Sequence, residues 1–369
     1  MRRVVLMLAI LGLLAGATLA RGESPARRVL ELARLQSPSV GVVAIYNVVP
    51  CGTYCRSYTP HIFATGDGRP WREVTPPHLL LEVEDVAFST PREGWVVAND
   101  CAAGRALFYR TRNGGQTWWR SRAPEVNCAA GSRLDVSFAD AKHGWILLVA
   151  ENGNRVGLFR TQDEGKTWKP VGKDAPLKGA IAFATRRIGW LARSDFPRPG
   201  ELYATRDGGR SWHYRKLRLP RGWRDARPFP DRPTFFGARG VLPVDLVRGR
   251  RSAVAFYTTV NDGGAWRLRA VRRIDFSILT QFSEGVPARY IPTSIASPSA
   301  WWIVAGRRQN HVAVTVDAGA SWRVAAAPVV GSEISAVDAR RAWLSTTGRR
   351  GALYATSNGG RTWRQVTLP

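Results

Sequence analysis

Lysine is almost missing from this chain. Of 54 basic side chains in 369 residues only six are lysine, so the positive charge is carried by 48 arginines. Acidic residues are few as well, 28, which leaves a formal charge of +26. Histidine is scarcer still: the five are scattered, with none paired at metal-ligand spacing and none beside an obvious Ser or Cys nucleophile. The phosphate-cradling string GxxxxGK is absent. After residue 20 no apolar run is long enough to cross a bilayer as a helix. These gaps argue against P-loop chemistry and against a metal centre built on paired histidines, and no cofactor is expected.

The first twenty residues are different in kind. Arg2 and Arg3 precede the apolar run VVLMLAILGLLAGATLA, and small residues permit cleavage after Ala17 or Ala20. This is the pattern of a secretory signal peptide. Export to the periplasm, cell envelope or exterior of a bacterial cell follows as the expectation. The four cysteines, Cys51, Cys55, Cys101 and Cys128, agree with an oxidising compartment and with two disulfides. Pairing of Cys101 with Cys128 and of Cys51 with Cys55 is expected. A zinc site using Cys51, Cys55, His61 and His78 is the competing reading, disfavoured by oxidising surroundings and wide histidine spacing. Residues 21–38 read as a spacer or short amphipathic helix outside the main fold, since Val29, Leu30, Ala33 and Leu35 could share a helical face. Residues 39–369 then form one domain.

What fills that domain is a repeat. TRDGGRSW at 205–212 has six further copies: TGDGRPW from Thr65, TRNGGQTW from Thr111, TQDEGKTW from Thr161, TVNDGGAW from Thr259, TVDAGASW from Thr315 and TSNGGRTW from Thr356. The third-position Asp or Asn can accept N–H groups of its own turn, and Gly at the fifth position can take φ > 0. Each copy therefore reads as a hairpin tip, with its Trp opening the return strand. Intervals of 41 to 56 residues between the threonines match the period of a propeller blade.

The stretch 134–168 shows one complete unit. LDVSF alternates as strand A, WILLVA is strand B, VGLFRT is strand C, and Trp168 opens strand D. Four antiparallel strands make a blade, and blades stack face to face around an axis. The expected fold is all-β, a seven-bladed β-propeller of four-stranded antiparallel blades, with a six-bladed ring and an irregular N-terminal unit as the alternative. A Trp opens strand B at Trp95, Trp145, Trp190 and Trp343, and Trp301 or Trp302 fills that place in another unit. These rings are expected in the core. The stretches 213–233 and 267–291 read as inserts between blades.

The boxes are the Asp-box (BNR) motif. Together with D-V-x-F and Gly-Trp, carried best by 85–118 and 135–168, they resemble the photosystem II assembly/stability factors and their bacterial relatives. That resemblance implies an exported, non-enzymatic seven-bladed propeller that binds another protein through an arginine-rich surface. Sialidases share the box, so a sialidase-like glycoside hydrolase is the alternative. Its Arg-Ile-Pro signature is absent before the first box, and Tyr214, Tyr290 and Glu284 are not tied together by spacing.

In a blade the B–C and D–A connections share one face. The B–C turns of the last three units hold Arg248, Arg250 and Arg251, then Arg307 and Arg308, then Arg349 and Arg350. The inserts add Arg215, Arg218, Arg221, Arg224 and Arg227, then Arg267, Arg269, Arg272 and Arg273. A basic arc over blades four to seven is expected, suited to an acidic protein or an anionic envelope polymer through charge-assisted contacts. Nucleic acid is disfavoured by export and by the lack of interleaved exposed aromatics. A monomer is expected.

Overall fold

The computed structural model describes residues 27–369 except 36, 38–39, 51–55, 67–69, 80–81, 89, 101–104, 123–132, 150–155, 173–178, 194–199, 250, 275–281, 284–285, 288–290, 306–309, 332 and 347–350. Among the described residues seven antiparallel blade sheets follow one another along the chain, spanning 27–73, 82–122, 133–170, 180–214, 227–274, 293–326 and 333–366, with a two-stranded sheet of Phe282–Ser283 and Val286–Pro287 between the fifth and sixth. Each blade sheet pairs its strands in the order A-B-C-D, and blade 5 adds the short strand Thr234–Phe236. The only helix among the described residues is one turn of 3-10 helix, Arg221–Trp223. The fold is a seven-bladed propeller with four-stranded antiparallel blades.

The first blade corrects the sequence reading. Arg27–Leu35 is neither spacer nor helix: it is strand A of blade 1, paired with Val40–Pro50. The domain therefore begins twelve residues earlier than the expected boundary at 39. A bulge between Leu30 and Leu32 explains the misreading. The extra residue, Glu31, shifts the in–out alternation, so Leu30, Leu32 and Ala33 are all buried. Apolar spacing with one step out of phase imitates a helical period.

Bulk is shared across strands A and B at one recurring position. Phe88, Phe138 and Phe183 lie opposite Gly94, Gly144 and Gly189. A Cβ on any of these glycines would stand about 2.5 Å from the facing ring. Blade 6 reverses the arrangement, with Ile295 opposite Trp301. Trp301 thus occupies the glycine place, and Trp302 takes the part that Trp145 plays in blade 3. The indole N–H of Trp145 donates to Gly208 O of blade 4 at 3.0 Å, and that of Trp302 donates to Asp338 O of blade 7 at 2.9 Å.

Strand A is innermost, and among the described residues its inner edge has no ladder partner. Side chains of the preceding blade satisfy it instead. Ser137 Oγ accepts the Phe183 N–H at 2.9 Å, Ser294 Oγ the Ala336 N–H at 2.9 Å, and Ser335 Oγ the Leu35 N–H at 3.0 Å. Asp135 accepts the Ile181 N–H at 2.5 Å. Blades three to four, six to seven and seven to one are linked in this way.

Among the described residues no strand is exchanged between the first and last blades, and packing joins them. Leu30, Val43 and Ile45 pack with Trp343 and Leu353 in one buried cluster. Arg34 pairs with Glu333 at 2.7 Å, and the Trp71 indole donates to Thr367 O at 2.9 Å. Gly41 permits this closure, because a Cβ there would sit 1.9 Å from the Trp343 ring. Gly41→Val is expected to cost about 1–3 kcal/mol by overpacking the seam. Thermal unfolding checks it, and an unchanged midpoint would show that the seam does not limit stability.

Candidate protein-binding face

Six Asp boxes share one network among the described residues. The first-position Thr is buried in all six, at 0–6% exposure, and that explains its recurrence. Its hydroxyl donates to the Asp or Asn Oδ1 at 2.7–3.0 Å. The same hydroxyl accepts the fifth-position Gly N–H at 2.8–3.1 Å. Oδ1 in turn accepts the N–H of the small residue before Trp at 2.9–3.0 Å. Gly209 has φ 94°, as the turn requires. Desolvation by burial would raise the Asp207 carboxyl, but hydrogen bonds from Ser211 and Thr205 outweigh it and hold the group at about 2. These acids close their own hairpins.

Many arginines are structural too. Arg72 of blade 1 donates to Gly114 O in the box of blade 2, and Arg323 of blade 6 to Gly359 O in the box of blade 7. Arg110 reaches Glu164 O of the blade 3 box at 3.2 Å and Ala141 O at 3.0 Å. Arg269 reaches Asp317 O of the blade 6 box at 3.4 Å. An arginine on one blade thus satisfies carbonyl groups in the turn of the next. The guanidinium fork suits that work better than an ammonium does.

The expected arc resolves unevenly. Arg250, Arg307, Arg308, Arg349 and Arg350 lie outside the described residues, as do Cys51, Cys55, Cys101 and Cys128. Arg248 and Arg251 face each other at the B–C turn of blade 5, and both are exposed. Arg248 braces the neighbouring insert, donating to Gly222 O at 3.2 Å and pairing with Asp225 at 3.5 Å. Arg267, Arg269, Arg272 and Arg273 are not on an insert: Arg267–Ile274 is strand D of blade 5. Arg272 lies over the Trp322 ring, 5.9 Å from its centroid.

The insert after blade 4 does gather charge. Strand D of that blade is only His213–Tyr214, and the chain then runs extended toward blade 5. Leu217 and Leu219 pack against the core between blades 4 and 5, while Arg215, Lys216 and Arg218 are exposed. Trp223, buried in the same core, pins the far end. Tyr257 fastens the middle, its hydroxyl donating to Arg218 O at 2.9 Å.

The result is a cleft lined by Tyr214, Arg215, Lys216, Arg218, Arg224, Pro228 and Pro230. Tyr214 is 56% exposed and meets Tyr203 edge-on at 5.8 Å. Among the described residues, no carboxylate pairs with Arg215, Lys216, Arg218 or Arg224. Composition named these arginines, but only the fold sets them round one opening with an aromatic wall.

Of the hydrolase candidates, Tyr290 and Glu284 lie outside the described residues. A Tyr–Glu pair does occur at Tyr203, whose hydroxyl donates to Glu201 at 2.8 Å. Burial and that hydrogen bond raise the phenol above its usual range, the opposite of nucleophile activation. Among the described residues no group of three or more His, Cys, Asp and Glu could hold a metal ion, and no helix is long and apolar enough to cross a membrane.

Comparison with known proteins agrees with the fold. The profile of the Photosynthesis system II assembly factor YCF48 family matches residues 64–212. The chain is an Asp-box (BNR) β-propeller resembling that assembly factor. A structure of YCF48 bound to D1 peptide aligns over 81% of this chain and 84% of its own, at 19% identity and TM-score 0.51. YCF48 from Cyanidioschyzon merolae aligns over 81% and 89%, at 18% identity and TM-score 0.51. The β-propeller domain of the Trilobed protease from Pyrococcus furiosus aligns over 93% and 98%, at 9% identity and TM-score 0.53. At such identities the likeness is one of fold. No curated protein matches the sequence. In this Asp-box propeller the matched region ends on Trp212, just before the basic cleft.

Proposed function

We propose that this Asp-box propeller is an exported, non-enzymatic scaffold that binds an acidic segment of another protein in the cleft between blades 4 and 5. The observation that carries the reading is the set of four cations, Arg215, Lys216, Arg218 and Arg224, around Tyr214 with no paired carboxylate among the described residues. Unpaired arginines beside an aromatic wall offer bidentate hydrogen bonds and a stacking surface to carboxylate-bearing peptides. The peptide-bound structure of YCF48 supports a protein as the class of partner. Arg248 and Arg251, exposed at the B–C turn of blade 5, extend the positive field around the opening and steer an acidic partner toward it.

Fluorescence anisotropy with an acidic dodecapeptide, an uncharged one of equal length and an anionic polysaccharide tests this. The acidic peptide is expected to bind, with affinity falling as salt is raised. Arg215→Ser, Arg218→Ser and Arg224→Ser combined should weaken it at least tenfold, about 1.4 kcal/mol. Unchanged affinity in the triple variant would remove the cleft as the site. Tighter binding of the polysaccharide would assign the cleft to an envelope polymer instead.

A further inference from the structure

The outer strands of the propeller are short, with one exception. Those of six blades run two to four residues, from Arg72–Glu73 and Lys169–Pro170 to Trp119–Arg122 and Arg323–Ala326. Strand D of blade 5, Arg267–Ile274, runs eight. Among the described residues no strand pairs with its outer side. A row of main-chain N–H and C=O groups is therefore left open, which short outer strands elsewhere avoid.

Local geometry defines the usable part. A bulge at Phe256/Tyr257 leaves Arg269 without a cross-strand partner. From Ala270, opposite Phe256, to Ile274, opposite Ser252, the register is unbroken. Those five residues form a straight template about 17 Å long. Around it Arg267, Arg269 and Arg273 are exposed, and the strand has no acidic residue. Leu268 is 43% exposed, and Val324 on the next blade is 48% exposed, so apolar footholds accompany the charge.

Charge decides what can lie there. A second copy of this edge would set arginine against arginine, and like charges directly opposite one another oppose pairing. An acidic strand would instead place carboxylates beside these guanidinium groups while its main chain completes the ladder. We infer that the outer edge of blade 5 takes up an extended acidic segment of a partner protein as an added β-strand. Main-chain hydrogen bonds supply the affinity, and the arginines select the sequence. The edge is separate from the cleft and does not require it.

The test is amide hydrogen exchange on the full chain with three peptides at about 1 mM, the range of a weak single-strand contact. One alternates Glu and Val, one is the same peptide N-methylated at alternate residues, and one replaces Glu by Lys. The Glu–Val peptide is expected to slow exchange of alternate amides in 270–274 about twofold at 1 mM, the factor that half-occupancy allows, and more as its concentration is raised. The methylated and lysine peptides are expected to leave them unchanged. Arg267→Glu, Arg269→Glu and Arg273→Glu combined should abolish protection by the acidic peptide and create it with the lysine peptide. Arg215→Ser, Arg218→Ser and Arg224→Ser should leave edge protection intact, which separates this result from failure of the cleft. Protection confined to 214–224, equal protection by the methylated peptide, or none in 270–274 would overturn the inference.

Discussion

Trp145→Ala is expected to lower the unfolding free energy by about 3–5 kcal/mol. The side chain is fully buried and stacks on Phe183 of the next blade, with ring centroids 3.6 Å apart and planes 2° from parallel. Truncation opens a cavity in the core between blades 3 and 4. It also removes the indole hydrogen bond to Gly208 O and leaves a carbonyl of the next Asp box without that donor. Trp145 thus joins two repeats by packing and by a polar contact at once, and a solenoid-like array depends on such nearest-neighbour terms. Urea unfolding followed by tryptophan fluorescence measures the effect. A loss below about 1 kcal/mol would mean that the blades hold together without this ring.

Asp231→Asn is expected to stabilise the protein near neutral pH by about 3 kcal/mol, and to have little effect near pH 4. Burial pushes the Asp231 carboxyl up to about 6, partly offset by the Arg232 N–H that it accepts at 2.6 Å. Asp245 is also raised well above the usual carboxylate range, by its own burial and then by Asp231. A carboxyl raised in the folded state resists ionisation there. The unfolded chain releases its proton near pH 4, so the folded state loses stability as pH climbs from 4 to 6. Above 6 the penalty is constant. The substitution removes it, and the remaining amide oxygen can still accept the Arg232 N–H. Denaturant midpoints of wild type and variant at pH 4, 5, 6 and 7 should diverge across that window. Parallel curves would show that Asp231 ionises as an ordinary surface acid.

The box acids shift the other way. Asp207 and Asp317 are both held at about 2, Asp207 against a burial effect that alone would raise it and Asp317 chiefly by its Ser321 hydrogen bonds. Their contribution is present above pH 4 and fades as pH falls toward 2. The propeller therefore carries two opposed sensitivities: one in the outer turns, lost in strong acid, and one beside the inner strand of blade 5, relieved in mild acid.

The amino-acid sequence by itself determined the repeat and hence the fold. Thr, Asp or Asn, Gly and Trp in each box interact within eight residues, so their geometry can be read from their spacing. The Gly–Trp start of strand B is equally local, because Phe138 and Gly144 are six residues apart. Strand A of blade 1 was not legible, since the bulge at Glu31 breaks the two-residue alternation that marks a strand. Only the tertiary structure decided what each arginine does. Arg72 meets Gly114, Arg323 meets Gly359 and Arg232 meets Asp135, partners 36 to 97 residues away. Charge counts cannot separate these from Arg215, Arg218 and Arg224, whose guanidinium groups meet no carboxylate among the described residues. The eight-residue outer strand of blade 5 was hidden for the same reason. RLRAVRRI is a polar, basic string that reads as a loop until the hydrogen-bond ladder of Arg251–Thr259 claims it as a strand and leaves its other edge open.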